Sequence, residues 1–168
     1  MPNWCHNKVK IEGSVKNINL IYDLLFKKCE NGDMDITFDK FLKTPEDLLN
    51  GEGWYDWRIE KWGVKWDAIL FNFRKCKKTL YFEIDTAWGP PDRFFENLSK
   101  KFLGTEITLM YSEPGMQFQG TFEIENGEVF HMYIENMWCK TYLSRSVKFH
   151  KEQYKKYLVS LFNLKLKT

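Results

Sequence analysis

Thr79-Leu80-Tyr81-Phe82-Glu83-Ile84-Asp85-Thr86-Ala87-Trp88-Gly89-Pro90-Pro91-Asp92 gives two structural instructions in succession. Over its first half Leu80, Phe82 and Ile84 face one way while Tyr81, Glu83 and Asp85 face the other, the period of a strand buried on one side. The second half opens a helix. Proline suits the first turn, where its missing N–H is not needed, and Asp92 complements the positive end of the helix dipole. The helix that follows buries Phe94 or Phe95, Leu98 and Phe102, and closes at Lys100, Lys101 and Gly104. A half-buried strand running straight into an amphipathic helix predicts a sheet with a helical layer on its apolar face.

Working outward, Ala68 to Arg74 reads as a strand joined to the first through Cys76-Lys77-Lys78. Downstream, Thr105 to Tyr111 alternates, and after Pro114-Gly115 so does Met116 to Glu125. Asn126-Gly127 is a type I′ turn signal that returns the chain through Phe130, Met132 and Ile134. At the start, Asn7 to Gly13 places Val9 and Ile11 against Lys8, Lys10 and Glu12. Ser14 then caps a helix with Ile18, Ile21, Tyr22, Leu25 and Cys29 on one stripe, Lys27 and Lys28 in its last turn, and Asn31-Gly32 ending it. Residues 33 to 53 read as irregular, save a short helix opened by Thr44-Pro45-Glu46-Asp47. Val147 to Phe162 reads as an amphipathic helix with Tyr154, Tyr157, Leu158, Leu161 and Phe162 on its stripe.

The order is β-α-β-β-α-β with an extra hairpin and a C-terminal helix. The predicted class is α+β: a ferredoxin-like antiparallel sheet with both helices on one face. Residues 1–138 form the domain, with a Trp-rich insertion over about 44–67; residues 139–168 are a basic helical extension packed on that same domain.

Composition narrows the functional classes. Hydrophobic residues make up 43% of the 168 and charged residues 29%, which describes a folded chain. Net charge is +2, but residues 139–168 carry eight basic side chains against Glu152 alone, a local +7 that leaves −5 on residues 1–138. Cys5, Cys29, Cys76 and Cys139 form no Cys-x-x-Cys pair, and no apolar run approaches roughly 18 residues. We therefore expect reduced thiols, a cytoplasmic setting, no membrane association, no metal and no cofactor. Cys5, His6, His131 and Cys139 lack the spacing of a zinc site. No Gly-rich phosphate loop, His-Glu-x-x-His or Gly-x-Ser-x-Gly is present, so we expect no catalytic residues.

The aromatic content points elsewhere: 17% of the chain is Phe, Tyr or Trp, and Trp54, Trp57, Trp62 and Trp66 crowd together. The candidate binding residues are Trp54, Tyr55, Trp57, Arg58, Trp62, Lys65 and Trp66, because indole and guanidinium groups dominate interface anchors. The structural alternative is a loop folded over the open face of the sheet, its rings making a second small core and Arg58 or Lys65 pairing with Asp56 or Asp67. We expect two of the four indoles to be buried and two at least partly exposed. Lys148, Lys151 and Lys155 join the candidates as a basic surface. An RNA-binding sheet face is disfavoured, since its outward positions hold Lys8, Lys10 and Glu12 beside Tyr81, Glu83 and Asp85.

Several motifs resemble a known family. They are Asn3-Trp4-Cys5-x-Asn7, Trp54-Tyr55-Asp56-Trp57-Arg58, Trp62-Gly63-x-Lys65-Trp66-Asp67-Ala68, Thr86-Ala87-Trp88-Gly89-Pro90-Pro91 and Tyr111-x-Glu113-x-Gly115-x-x-Phe118-x-Gly120. Together they resemble the YubB-like family of plasmid- and phage-borne proteins with a ferredoxin-like domain. The resemblance implies that fold and a mobile-element origin, and no activity. Mobile elements carry many small inhibitors of host defence, so the leading expectation is a non-catalytic protein-binding protein that blocks a host factor such as a CRISPR nuclease. The alternative is a nucleic-acid-binding module that uses the basic C-terminal segment and the Trp-rich loop.

Overall fold

Alternation makes Trp4–Glu12 (β1) a two-faced strand: Cys5, Asn7, Val9 and Ile11 are buried, while His6 and Lys8 are exposed. The computed structural model describes residues 2–30, 32–51 and 53–134. Thr79–Ala87 (β5) and Glu106–Glu113 (β6) pair antiparallel with the two edges of β1. Val9 thereby sits between Phe82 and Leu109, and Ile11 between Leu80 and Ile107. Ile69–Lys75 (β4) lies outside β5, and Phe118–Glu125 (β7) and Glu128–Ile134 (β8) extend the other side. The order is β4-β5-β1-β6-β7-β8, antiparallel throughout.

Two crossovers join these strands, Val15–Leu25 (α1) after β1 and Asp92–Lys101 (α4) between β5 and β6. This is the split βαβ arrangement of a ferredoxin-like domain. Val9, Ile11, Leu80, Phe82, Ile84, Ile107 and Leu109 all lie on one buried face and share one core with Ile18, Ile21 and Leu25 of α1 and Phe94, Phe95 and Leu98 of α4. Phe94 and Phe95 are both enclosed, where helical spacing alone favours one of them. Asn126 (φ 52°) and Gly127 (φ 82°) make the left-handed pair that a type I′ hairpin requires.

The expected first helix is too long. It ends at Leu25, and Phe26–Lys28 (β2) pairs with Met34–Ile36 (β3) as a two-stranded ribbon. The cause is Phe26. One more helical residue would carry it off the Ile18–Ile21–Leu25 stripe, whereas extended backbone brings its ring within 5.4 Å of both Phe73 and Phe82. Lys27 and Lys28 therefore lie on a strand, and Cys29 leaves the stripe. The Trp-rich segment is likewise no loop and does not cover the open face. Glu46–Leu49 (α2) and Gly53–Trp62 (α3) are helical, and α3 packs beside α4 in the helical layer, its inner rings joining the main core.

A bulge marks the edge strand. Leu70 faces Ile84 and Asn72 faces Glu83, so Phe71 is an extra residue on β4, 64% exposed. The predicted helix over 147–162, the boundary at residue 138 and the candidates Lys148, Lys151 and Lys155 lie outside the described residues.

Candidate interaction site

Helical spacing sorts the Trp-rich segment into two sides. Trp54, Trp57, Arg58 and Trp62 fall at i, i+3, i+4 and i+8 and turn inward. Trp62 is fully buried, donates its indole N–H to the Leu42 carbonyl at 3.0 Å, and meets Phe38 and Trp57 edge-on. Trp57 is half-buried against the core, and Trp54 is half-buried with its ring edge-on to Tyr55. One of the four indoles is thus buried, two are half-buried and Trp66 is exposed, one fewer in the core than the sequence reading allots.

Arg58 holds this arrangement together. Its guanidinium carbon lies 4.6 Å from the Trp62 ring centre and 5.4 Å from that of Trp54. Its Nε donates to Thr44 Oγ1 at 3.0 Å and its Nη1 to the Lys65 carbonyl at 3.3 Å. Neither expected acid forms a direct ion pair with Arg58 or Lys65: Arg58 acts on Asp67 only through its longer-range charge, and Asp67 Oδ1 and Oδ2 accept from the Phe38 N–H at 2.5 Å and the Thr37 hydroxyl at 3.1 Å. Sequence reasoning missed Thr44. Read as the opening of a helix, it is fully buried and hydrogen-bonds Asp39 through both its N–H and its hydroxyl, each at 2.9 Å. The Thr-Pro-Glu-Asp run masks that second role.

The outward side is different. Tyr55 is 45% exposed, Ile59 39% and Trp66 39%, and the Lys65 amine stands 3.8 Å from the Trp66 ring centre. Beyond Ile59, Lys61, Arg93, Glu96 and Lys100 line an open groove between α3 and α4. Gly63 (φ 83°) turns the chain out of α3; a Cβ there would come within 2.5 Å of Asp92 Oδ1. Burial pushes the Asp92 carboxyl above its ordinary value.

The remaining motifs build the fold. Asn7 Nδ2 lies within hydrogen-bonding distance of the Cys5 and Ile84 carbonyls and of Thr86 Oγ1, and the Thr86 hydroxyl donates to the Gly89 carbonyl at 2.6 Å. Trp88, in left-handed backbone at φ 71°, donates its N–H to the Asn3 carbonyl. Buried Glu113 accepts from the N–H groups of Gly115 and Met116. Burial pushes the Cys5 thiol up to about 12, so it is no nucleophile at neutral pH. No group of three or more His, Cys, Asp or Glu among the described residues is placed to hold a metal. No helix among them is long and apolar enough to cross a membrane.

Comparison with known proteins bears on the fold. The family model for the ferredoxin-like domain in Api92-like protein matches residues 61–149, which include Trp62, Lys65 and Trp66. The crystal structure of a protein api92 from Yersinia pseudotuberculosis is similar, with a TM-score of 0.55 over 81% of this chain and 98% of that one. Identity is 11%, so the likeness concerns the fold alone. No curated protein sequence matches the chain.

Proposed function

The chain belongs to the family of Api92-like proteins with a ferredoxin-like domain, and from that premise we propose a non-catalytic protein that binds a protein partner through its Trp-rich segment. The observation that supports this reading is the division of labour on α3. Inner rings and Arg58 fix the helix, so Tyr55 and Ile59 are presented from a rigid base, and Trp66 stands exposed in the bend that follows the helix. Large rings on a rigid support gain contact with little loss of conformational freedom, which is how interface anchors work. In this reading the chain comes from a mobile element, as the YubB-like resemblance implies, and its partner is a host defence factor such as a CRISPR nuclease.

Affinity capture from the natural host, followed by binding measurements on the captured protein, tests the proposal. Tyr55→Ala and Trp66→Ala are expected to fold normally and to weaken binding by about 2 kcal/mol or more. Unchanged affinity in both variants refutes the assignment. Nucleic-acid binding is the rival reading, favoured by one contact, the Lys65 amine over Trp66. Affinity for oligonucleotides that falls steeply with salt and is lost in Trp66→Ala would establish it instead.

A further inference from the structure

The β4–β5 hairpin gathers positive charge within an acidic stretch of chain. Residues 68–82 contain Arg74, Lys75, Lys77 and Lys78 and no Asp or Glu, whereas residues 1–138 as a whole carry −5. Register decides where these cations stand. Arg74 lies directly opposite Tyr81, and Tyr81 directly opposite Lys10, so one ring sits between two cations on the sheet face away from the helices. The ring is 41% exposed, Arg74 is exposed beside it, and the Lys10 amine stands 5.9 Å from the ring centre. Lys77 and Lys78 are exposed in the turn that follows, while Lys75 reaches to 4.0 Å from the Tyr22 ring centre. No acid among the described residues pairs with Arg74, Lys77 or Lys78. The outward acids that count against this face in the sequence are already matched: Glu12 holds Lys10 at 2.6 Å and Glu83 holds Lys8 at 3.4 Å.

From this juxtaposition we propose that the outer surface of the β4–β5 hairpin binds single-stranded nucleic acid, with a base stacked on Tyr81 and the neighbouring phosphates held by Arg74, Lys77 and Lys78. The unpaired cations select a polyanion, and the exposed ring between cations selects one that carries flat faces, since any base can cover an aromatic side chain. A single strand fits better than a duplex, whose base faces are hidden in its own stack. The Arg74 guanidinium is planar and can grip phosphate through two N–H groups. Acids elsewhere on the sheet do not cancel the site. Glu106 lies on β6, three strand spacings from β4. That is roughly 14 Å, beyond the ~8 Å over which charge acts at physiological salt. The bound strand therefore keeps to the β4 margin. This surface shares no residue with the Trp-rich segment, so the two proposals stand or fall separately.

The test uses the full chain and a fluorescent oligonucleotide of about 12 bases, single-stranded or annealed to its complement, read by anisotropy. Three phosphate contacts at a slope of about 0.7 each are expected to weaken single-strand binding about twentyfold between about 50 and 200 mM salt. Arg74→Gln/Lys78→Gln, which leaves one contact, is expected to lower affinity and shrink that salt effect to about threefold. Tyr81→Ala is expected to lose about tenfold in affinity with the salt effect unchanged, because it removes stacking and no charge. All three side chains are solvent-facing, and unchanged thermal melts check that the variants fold. Trp66→Ala is expected to stay within about twofold of the parent. No binding at low salt, equal affinity for single strand and duplex, or equally effective competition by a poly-glutamate peptide overturns the proposal. Loss of binding in Trp66→Ala with none in Tyr81→Ala also overturns it and moves the contact to the Trp-rich segment.

Discussion

Trp62 and Trp66 stand four residues apart and have opposite environments, which makes them a controlled pair. Trp62 is enclosed, with its N–H satisfied by the Leu42 carbonyl, so Trp62→Ala leaves a large void and an orphaned acceptor. We expect it to lower unfolding free energy by about 3–5 kcal/mol, measured by urea denaturation with the m-value unchanged. Cys5 offers a second measurement. Its folded thiol is pushed to about 12 against an ordinary 9.0, so between those values the folded chain keeps a proton that the unfolded chain has released. Stability therefore falls as pH rises through that window, and Cys5→Ala is expected to flatten the fall in thermal melts recorded above pH 9. The aromatic identity of the site was legible in the sequence. Which ring lies inside was not, because that depends on the rotational phase of α3 against α4, and residues such as Thr44 and Leu42 that fix the phase lie outside the Trp run.

At the scale of elements, the strand that carries Leu80, Phe82 and Ile84 and the Asn126-Gly127 hairpin followed directly from alternation and turn chemistry. The end of α1 did not. Asn31-Gly32 is a legitimate stop signal, but Phe26 leaves the helix earlier because tertiary packing against Phe73 and Phe82 outweighs local propensity. The exit of α3, packed against the start of α4, is tightly constrained. Gly63 combines a left-handed φ with the close approach of Asp92. Gly63→Ala is expected to cost about 2–3 kcal/mol, more than an exposed glycine replacement, because strain and crowding act together. Equilibrium unfolding beside Gly32→Ala, whose site has open space, separates the crowding from the backbone penalty.

For the whole molecule, the antiparallel sheet with its helical layer was readable because β1, β5 and β6 alternate and α1 and α4 are amphipathic. The row of Arg74, Tyr81 and Lys10 across three strands was not readable, since register, rather than composition, brings these side chains together. Register also governs a hazard at the same margin of the sheet. β4 is an outer strand whose extra residue, Phe71, breaks the regular spacing of its backbone groups. A straight strand there would offer an uninterrupted ladder to the same strand of another molecule, and with Ile69 and Phe71 exposed beside it that ladder would be sticky. Removing Phe71 should straighten the strand and make the protein polymerise on concentration, visible as rising light scattering and thioflavin T fluorescence. The bulge thus sets how crowded a solution this chain tolerates before it begins to build fibres.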